Sequence, residues 1–257
     1  MKLFQIDAFA DKPFQGNPAA VCPLDKWLPD SVMQSIAEEN NLSETAFFVP
    51  TQKGFYIRWF TPVAEVNLCG HATLAAAYVL FHCLGYENET ILFDSKSGIL
   101  KVSKNNDLLT MDFPVQEPVV CDIPIEIEKA FAIKPVKCLK SEDFVVIFEN
   151  EADILSIKPD QNMLKKLDLR GVIITARSKN YDFVARFFAP KYGINEDPVT
   201  GSAYTQLAPY WSKELGITKL RAKQLSSRGG ELVCEIANNR VQISGKAVEY
   251  MRGEIKI

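Results

Sequence analysis

An internal repeat constrains the fold of this chain more than any other feature of its sequence. The segment FYIRWFTPVAEVNLCGHATLAAAYVL begins at Phe55, and FVARFFAPKYGINEDPVTGSAYTQLAPYW begins at Phe183. In both, an alternating strand reaches a proline, a short loop follows, and a small residue with a glycine opens an apolar helix. Arg58 and Arg186 are equivalent and lie half of the 257-residue chain apart. A chance match is the alternative, but motif and position agree together, so the sequence predicts two copies of one unit.

Each copy is predicted to be rich in strands. Alternating or short apolar runs predict strands over 2–9, 46–49, 55–60, 90–94, 98–102 and 108–113, and then over 143–148, 171–176, 183–188, 232–236 and 241–244. Helices are predicted over 30–40, with Asp30 as the candidate N-cap, over 70–84 and over 201–215, where Pro209 is expected to kink the helix early. The helix over 70–84 has no polar face, which indicates that strands wrap around it. The proline-rich stretch 114–120 is the best linker candidate.

Composition excludes several classes of function. Lys and Arg number 29 against 32 Asp and Glu, for a net charge of -3, and no basic run is present, so nucleic-acid binding is not expected. The N-terminus lacks the apolar region of a secretory signal, and no apolar stretch reaches the roughly 20 residues of a membrane span, so we expect a cytoplasmic protein without a membrane segment. Six scattered cysteines indicate reduced thiols, and two histidines without ligand spacing predict no metal site.

The glycines that open the two apolar helices suggest an anion site. Gly70 and Gly201 lie at the predicted N-termini, where unpaired backbone N–H groups and the helix dipole favour a carboxylate or another small anion. If two copies pack about a pseudo-twofold axis, we expect these ends to face one cavity. The alternative is structural, because a glycine also permits a tight turn between strand and helix.

Three residues could move or hold protons, and two of them lie near these turns in the sequence. His71 follows Gly70, and a helix N-terminus disfavours its cationic form, so a neutral imidazole that donates or relays a proton is expected. Asp197 lies four residues before Gly201, where a helix-capping role and a catalytic role are equally compatible with the sequence. Glu44 lies at the start of an apolar strand, where desolvation would raise the pKa of its carboxyl group toward a range useful for proton transfer, although a glutamate at the strand edge is also compatible.

Cys69 offers a different chemistry, because a helix N-terminus lowers the pKa of a thiol. A racemase with two bases would use a thiol on each face of the reacting carbon. The equivalent of Cys69 in the second copy is Thr200, so such a pair would be incomplete. The asymmetry argues against that mechanism.

Several blocks together resemble the PhzF-like family, named for the phenazine-biosynthesis isomerase. The blocks are FQGNPAAV (14–21), NLSETAFFV (41–49), RWFTPVAEVNLCGHATLAAA (58–77), EDPVTGSA (196–203), LAPYW (207–211) and SSRGGEL (226–232). The resemblance implies an α+β, diaminopimelate-epimerase-like fold. Two pseudo-symmetric domains would each wrap a mostly antiparallel sheet around a central hydrophobic helix. We expect the domains to cover 1–116 and 117–257, with the last residues able to return to the first domain.

The same resemblance assigns expected roles within the matched blocks. Glu44 would shuttle a proton, His71 and Asp197 would assist and orient, and Gly70, Gly201 and Ser202 would lie at the substrate's anionic group. An active site between the domains, a homodimer, a small anionic metabolite as substrate, and no metal or organic cofactor are implied as well. Tyr204 departs from the histidine that often follows GSA in relatives, which bears on substrate preference.

Three functions remain open from the sequence. The leading one is an isomerase that transfers a proton on a small carboxylate-bearing metabolite through Glu44. The second is an amino-acid epimerase or racemase that uses Cys69, which the threonine at position 200 weakens. The third is a metabolite-binding protein without activity.

Overall fold

The computed structural model describes all 257 residues as a mixed α+β chain dominated by strands. The chain divides into two compact units. Unit 1 consists of Met1–Asp112 and Ser244–Ile257, and unit 2 consists of Phe113–Ile243. No helix in either unit combines the length and the apolar character that crossing a bilayer would require.

Unit 1 is built mainly from strands that pair with one another in a sheet. Its strands are β1 (Lys2–Ala8), β2 (Asn17–Pro23), β3 (Glu44–Pro50), β4 (Phe55–Phe60), β5 (Glu65–Val66), β6 (Thr90–Asp94), β7 (Leu100–Asn105) and β8 (Leu108–Pro114). Helix α1 (Asp30–Asn40) joins β2 to β3, and α2 (Gly70–Tyr78) continues as a π-helical turn, Val79–Cys83, before β6. Strand β2 runs parallel to β3 and antiparallel to β1, whereas β4 runs antiparallel to β3 and parallel to β6.

Helix α2 is the core of unit 1, as its sequence predicts. All residues from His71 to Ala77 are buried, and the helix packs against β1, β2 and β3. Helix α1 covers the other face, where Met33, Ile36 and Ala37 pack with Phe47 and Val49 of β3. Because side chains alternate along a strand, Glu44 and Ala46 lie on the opposite face of β3, the one that α2 covers.

Unit 2 repeats this architecture. It contains β9 (Val119–Cys121), β10 (Lys137–Lys140), β11 (Phe144–Ile147), β12 (Val172–Arg177), β13 (Phe183–Ala189), β14 (Ile194–Asp197), β15 (Lys219–Gln224), β16 (Gly230–Ala237) and β17 (Arg240–Gly245), whose last residues join unit 1. The helices are α3 (Ile125–Ala130), α4 (Glu151–Ser156), α5 (Gln161–Leu164) and α6 (Tyr204–Leu215), with 3-10 turns at Pro190–Tyr192 and Gly201–Ala203. A final strand, β18 (Ala247–Glu254), pairs with β1 in unit 1.

The strand pairings of the two units match one for one, which confirms the predicted fold class. In unit 2, β11 runs parallel to β12, β12 antiparallel to β13, and β13 parallel to β15, as β2, β3, β4 and β6 do in unit 1. The equivalent arginines form equivalent ion pairs. Arg58 binds Glu65 through two nitrogens, at 2.7 and 2.9 Å, and Arg186 binds Glu196 at 2.7 and 3.0 Å.

One local expectation differs from the structure, and a second feature concerns the proline within α6. Pro29, not Asp30, is the N-cap residue of α1, and the Asp30 carboxylate instead accepts a hydrogen bond of 2.8 Å from Arg58. Helix α6 runs through Pro209 without a break. The proline cannot donate to the Thr205 carbonyl, and the backbone N–H of Gln116 donates to that carbonyl instead, at 3.0 Å. The freed carbonyl is therefore satisfied from outside the helix, which lets the helix continue.

Candidate active site

Glu44 and His71 meet in unit 1, where two strands and a helix begin close together. Strands β2 and β3 are parallel, with Ala19 opposite Glu44, so the first residues of both strands lie at the same end of the sheet. Helix α2 packs on these strands and begins at Gly70. The Nε2 atom of His71 lies 3.2 Å from Oε2 of Glu44. The structure therefore brings together two of the residues that the sequence singles out.

His71 is neutral in this environment. Its side chain is only 7% exposed, and burial lowers the pKa of the imidazole from 6.5 to about 3. The expected neutral form agrees with this value, but burial is its cause here. A neutral ring carries its proton on one nitrogen only, so the contact with Glu44 is not a salt bridge.

Asn17 determines which nitrogen of His71 carries that proton. Its side-chain Nδ2 lies 3.3 Å from His71 Nδ1, and its Oδ1 accepts a hydrogen bond of 3.3 Å from the Ser43 hydroxyl. With the amide in this orientation, Nδ2 is a donor and Nδ1 must accept. The proton of His71 is then on Nε2, the nitrogen that lies 3.2 Å from Glu44 Oε2.

The contact between His71 and Glu44 lacks the linear alignment of a strong hydrogen bond. Hydrogen bonds of catalytic groups are often long or poorly aligned before substrate binds. The arrangement can hold an ionised Glu44 carboxylate next to a neutral N–H donor.

Cys69 completes a cluster of three reactive side chains. Its Sγ lies 3.5 Å from Nδ1 of His71, and ligand-type atoms of Glu44, Cys69 and His71 lie within 4.8 Å of one another. Carboxylate, thiolate and imidazole are all ligands of zinc. These residues are consequently the ones that could hold a metal, whereas the sequence predicts no metal site.

Asp197 lies in unit 2 at the end of β14, where it is buried. Its Oδ2 accepts a hydrogen bond from the Thr200 hydroxyl, and Gln224 donates to its backbone carbonyl at 2.9 Å. The backbone N–H of Thr200 donates in turn to the Gln224 side chain at 3.0 Å. These bonds fix the loop between β14 and the helix that follows.

The predicted anion-binding residues lie at helix starts in both units. Gly70 is the first residue of α2, and Gly201 and Ser202 form the 3-10 turn that leads into α6. Tyr204 follows in the interior of unit 2, where burial raises the pKa of its phenol well above the usual value. Its hydroxyl lies 3.5 Å from the Gln224 side chain. Gln224 therefore contacts both Tyr204 and the backbone carbonyl of Asp197.

Asn17 and Gln224 are site residues that the sequence analysis did not single out. Both are fully buried polar side chains, at 0% and 1% exposure, and each bonds to a predicted site residue or to its loop. The available signal for Asn17 is its place inside the FQGNPAAV block. Gln224 lies two residues before the SSRGGEL block, outside it, and has no such signal.

Comparison with known proteins establishes the family. A family model described as phenazine biosynthesis-like protein matches residues 6–253. The chain belongs to this family. It is 52% identical over 257 residues to an uncharacterized isomerase of Pseudomonas aeruginosa, covering 100% of this chain and 99% of the relative. A phenazine biosynthesis-like domain-containing protein of Mus musculus is 39% identical, with 99% of each chain covered. The resemblance found in the sequence is thereby confirmed.

Solved structures agree with the family fold. A phenazine biosynthesis protein of the PhzF family from Enterococcus faecalis superposes with a TM-score of 0.98 at 48% identity, covering 100% of this chain and 99% of that chain. A hydroxyproline epimerase from Agrobacterium vitis has a TM-score of 0.62 at 8% identity, covering 98% and 91%. At that identity the second likeness shows a shared fold alone.

Proposed function

We propose that this chain is an isomerase that moves a proton between atoms of a small carboxylate-bearing metabolite, with Glu44 as the acid and base. Family membership and relatives named isomerases, at 52% and 42% identity, support an isomerase role. The observation that carries the finer proposal is the Glu44 carboxylate, 14% exposed, with the neutral His71 at 3.2 Å.

In the proposed reaction one carboxylate, that of Glu44, both removes the proton and returns it. Glu44 takes a proton from a carbon of the substrate, and the electron pair of the broken C–H bond shifts the adjacent double bond. The same carboxyl group then returns the proton to the atom at the other end of the shifted system. His71 is not expected to store the proton, because burial lowers the pKa of its imidazole to about 3. It orients Glu44 through Nε2.

We propose that the other predicted residues bind and polarise the substrate. Backbone N–H groups near Gly70 in unit 1, and those near Gly201 and Ser202 in unit 2, are each candidates to donate to an anionic group, since helix N-termini favour anions. Asp197, held by Thr200 and Gln224, would orient a polar group of the substrate. No organic cofactor is required for this sequence of steps.

Replacing Glu44 with glutamine tests the proposal. The Glu44→Gln side chain keeps its shape and still offers an oxygen to His71, but it has no basicity. We expect folding to persist and turnover to fall by about 10²-fold or more, or about 2.7 kcal/mol in activation free energy. Glu39→Gln is the matched control, because Glu39 is exposed on α1.

The assay does not require the substrate to be known in advance. Small carboxylic and amino acids are incubated with the protein in deuterated water, and exchange at carbon is followed by NMR. Wild type and Glu39→Gln should promote exchange on the same compound, and Glu44→Gln should not. Normal exchange by a folded Glu44→Gln protein would exclude Glu44 as the base.

An epimerase or racemase that uses Cys69 is the second candidate. The contact of 3.5 Å between its Sγ and His71 favours it, because this places the thiol in the same cluster as Glu44. The threonine at the equivalent position of the second copy argues against a symmetric pair of thiols.

A further inference from the structure

Two cysteines face each other across a strand pair of unit 2. Strand β9 runs antiparallel to β10, and Cys121 is the direct register partner of Cys138. Both are free thiols, and their sulfur atoms lie 3.7 Å apart. Nothing in the proposed isomerase chemistry uses either residue, so the pair needs a separate explanation.

The backbone geometry of the pair suits a covalent link. Direct partners in an antiparallel sheet have Cα atoms about 4.5–5.5 Å apart, and disulfides span Cα separations of about 4.4–6.8 Å. Side chains of direct partners project from the same face. Closing the sulfur gap from 3.7 Å to a bond of about 2.05 Å therefore calls for side-chain rotation rather than strand displacement.

The two thiols differ in solvent exposure, which determines which of them is oxidised first. Cys121 is partly exposed, whereas Cys138 is 1% exposed and belongs to the core of unit 2. Burial, together with the neighbouring Cys121 thiol, raises the pKa of Cys138 to about 12. Cys138 is thus shielded from dissolved oxidants, and Cys121 is the thiol that an oxidant reaches.

We propose that Cys121 and Cys138 form a reversible oxidation site, in which peroxide converts the dithiol into an intramolecular disulfide. The Cys121 sulfur attacks one oxygen of hydrogen peroxide, the O–O bond breaks, and Cys121 becomes a sulfenic acid with release of water. The Cys138 sulfur then attacks the oxidised sulfur, the S–O bond breaks, and a second water leaves with the Cys138 proton. Two thiols are oxidised and one peroxide is reduced to two waters.

The product ties β9 covalently to β10. Strand β9 has three residues, of which Val119 and Val120 are 59% and 69% exposed, so burial of its own side chains adds little to its attachment. A cross-link from Cys121 to Cys138 closes a loop through α3. Oxidised protein should therefore lose the pairing of β9 with β10 only at higher urea concentrations than reduced protein.

Peptide mapping of the full-length protein under non-reducing conditions tests the site. After mild hydrogen peroxide treatment we expect a peptide that links Cys121 to Cys138, lighter by two hydrogens than the sum of its parts and separated by dithiothreitol. Cys83 serves as the internal comparison, because it is also partly exposed but its Sγ lies against Glu249, at 3.3 Å, rather than against another thiol.

Single variants separate the two steps. In Cys138→Ala, Cys121 should accumulate as a sulfenic acid that dimedone captures, and in Cys121→Ala no linked peptide should form, while Cys83→Ala should behave as wild type. Recovery of both thiols unmodified at a dose that oxidises Cys83 would overturn the proposal. So would oxidation of wild-type Cys121 to sulfinic acid with Cys138 still reduced. The wild-type map decides the matter even if a variant folds poorly.

Discussion

The neutral state of His71 has a measurable consequence for stability below neutral pH. In the folded chain burial lowers the pKa of His71 from 6.5 to about 3, whereas an unfolded chain restores the ordinary value. Between these two values the unfolded state binds more protons than the folded state, so the free energy of unfolding falls as the pH falls. The contribution of His71 is complete above pH 6.5 and decreases by about 1.4 kcal/mol for each pH unit below it.

At pH 4.5, two units below the ordinary pKa, the loss attributable to His71 is about 2.7 kcal/mol. His71→Asn removes the titrating group, so the difference between wild type and variant in urea-induced unfolding should shrink by this amount from pH 7.5 to pH 4.5. Glu44 and Cys69 are the titratable groups that lie against the imidazole. The same comparison in a Glu44→Gln background excludes a contribution from the carboxylate.

NMR tests the same point directly, because the chain has only two histidines. His82 lies largely at the surface. The part of its ring that is buried, together with the charge of Lys104, lowers its pKa below the usual value. His82→Asn assigns the two imidazole signals. We expect the His71 signal to stay unchanged down to about pH 4 and to report a proton on Nε2. Titration of His71 near pH 6.5, or a proton on Nδ1, would refute both the buried neutral state and the role assigned to Asn17.

Three further predictions concern the same cluster and its counterpart. Cys69→Ala should leave turnover within a few-fold of wild type and its pH profile unchanged, and iodoacetamide should not abolish activity. If the folded Cys69→Ala variant were inactive while the Glu44→Gln variant remained active, the result would favour the thiol mechanism. Chelator treatment should not change turnover, and inactivation by a chelator alone would contradict this prediction. Added Zn²⁺ should inhibit the wild-type protein more than Cys69→Ala, because Glu44, Cys69 and His71 can ligate zinc together. Gly171→Ala should destabilise the protein by about 1–3 kcal/mol in urea unfolding, since a Cβ there would lie 2.6 Å from the Phe187 ring, whereas Gly253→Ala, with open space around it, should be neutral.

The strands that the sequence predicts are those whose signal is local. Positions 55–60 and 90–94 alternate or carry β-branched and aromatic residues, and β4 and β6 cover these positions. Strand β2 was not predicted, because Ala19 and Ala20 lie between prolines and have little intrinsic preference for strands. It forms because it pairs with β1 and β3. Strand β18 pairs with β1 at the opposite end of the chain, a contact that no local pattern encodes.

The candidate site shows the same division between local and distant information. Glu44 and His71 are identified by the blocks around them. Asn17 is separated from His71 by 54 residues, and it reaches the imidazole only because β2 lies beside β3 under α2. Its role in fixing the tautomer therefore depends on a strand that the sequence did not predict. Its place inside the FQGNPAAV block is the signal that the sequence offers for it.

The registers of the two units explain why we propose one carboxylate rather than a symmetric pair of bases. Thr45 pairs with Phe60 on β4, and Val172 pairs with Phe188 on β13. Since Phe60 and Phe188 follow the equivalent arginines by two residues, Gly171 is the counterpart of Glu44. A Cβ at Gly171 would lie 2.8 Å from the Phe188 carbonyl oxygen, so that position has no room for even a methyl group. Both units contain the arginine ion pair and a buried helix, whereas a carboxylate at this position exists in unit 1 alone.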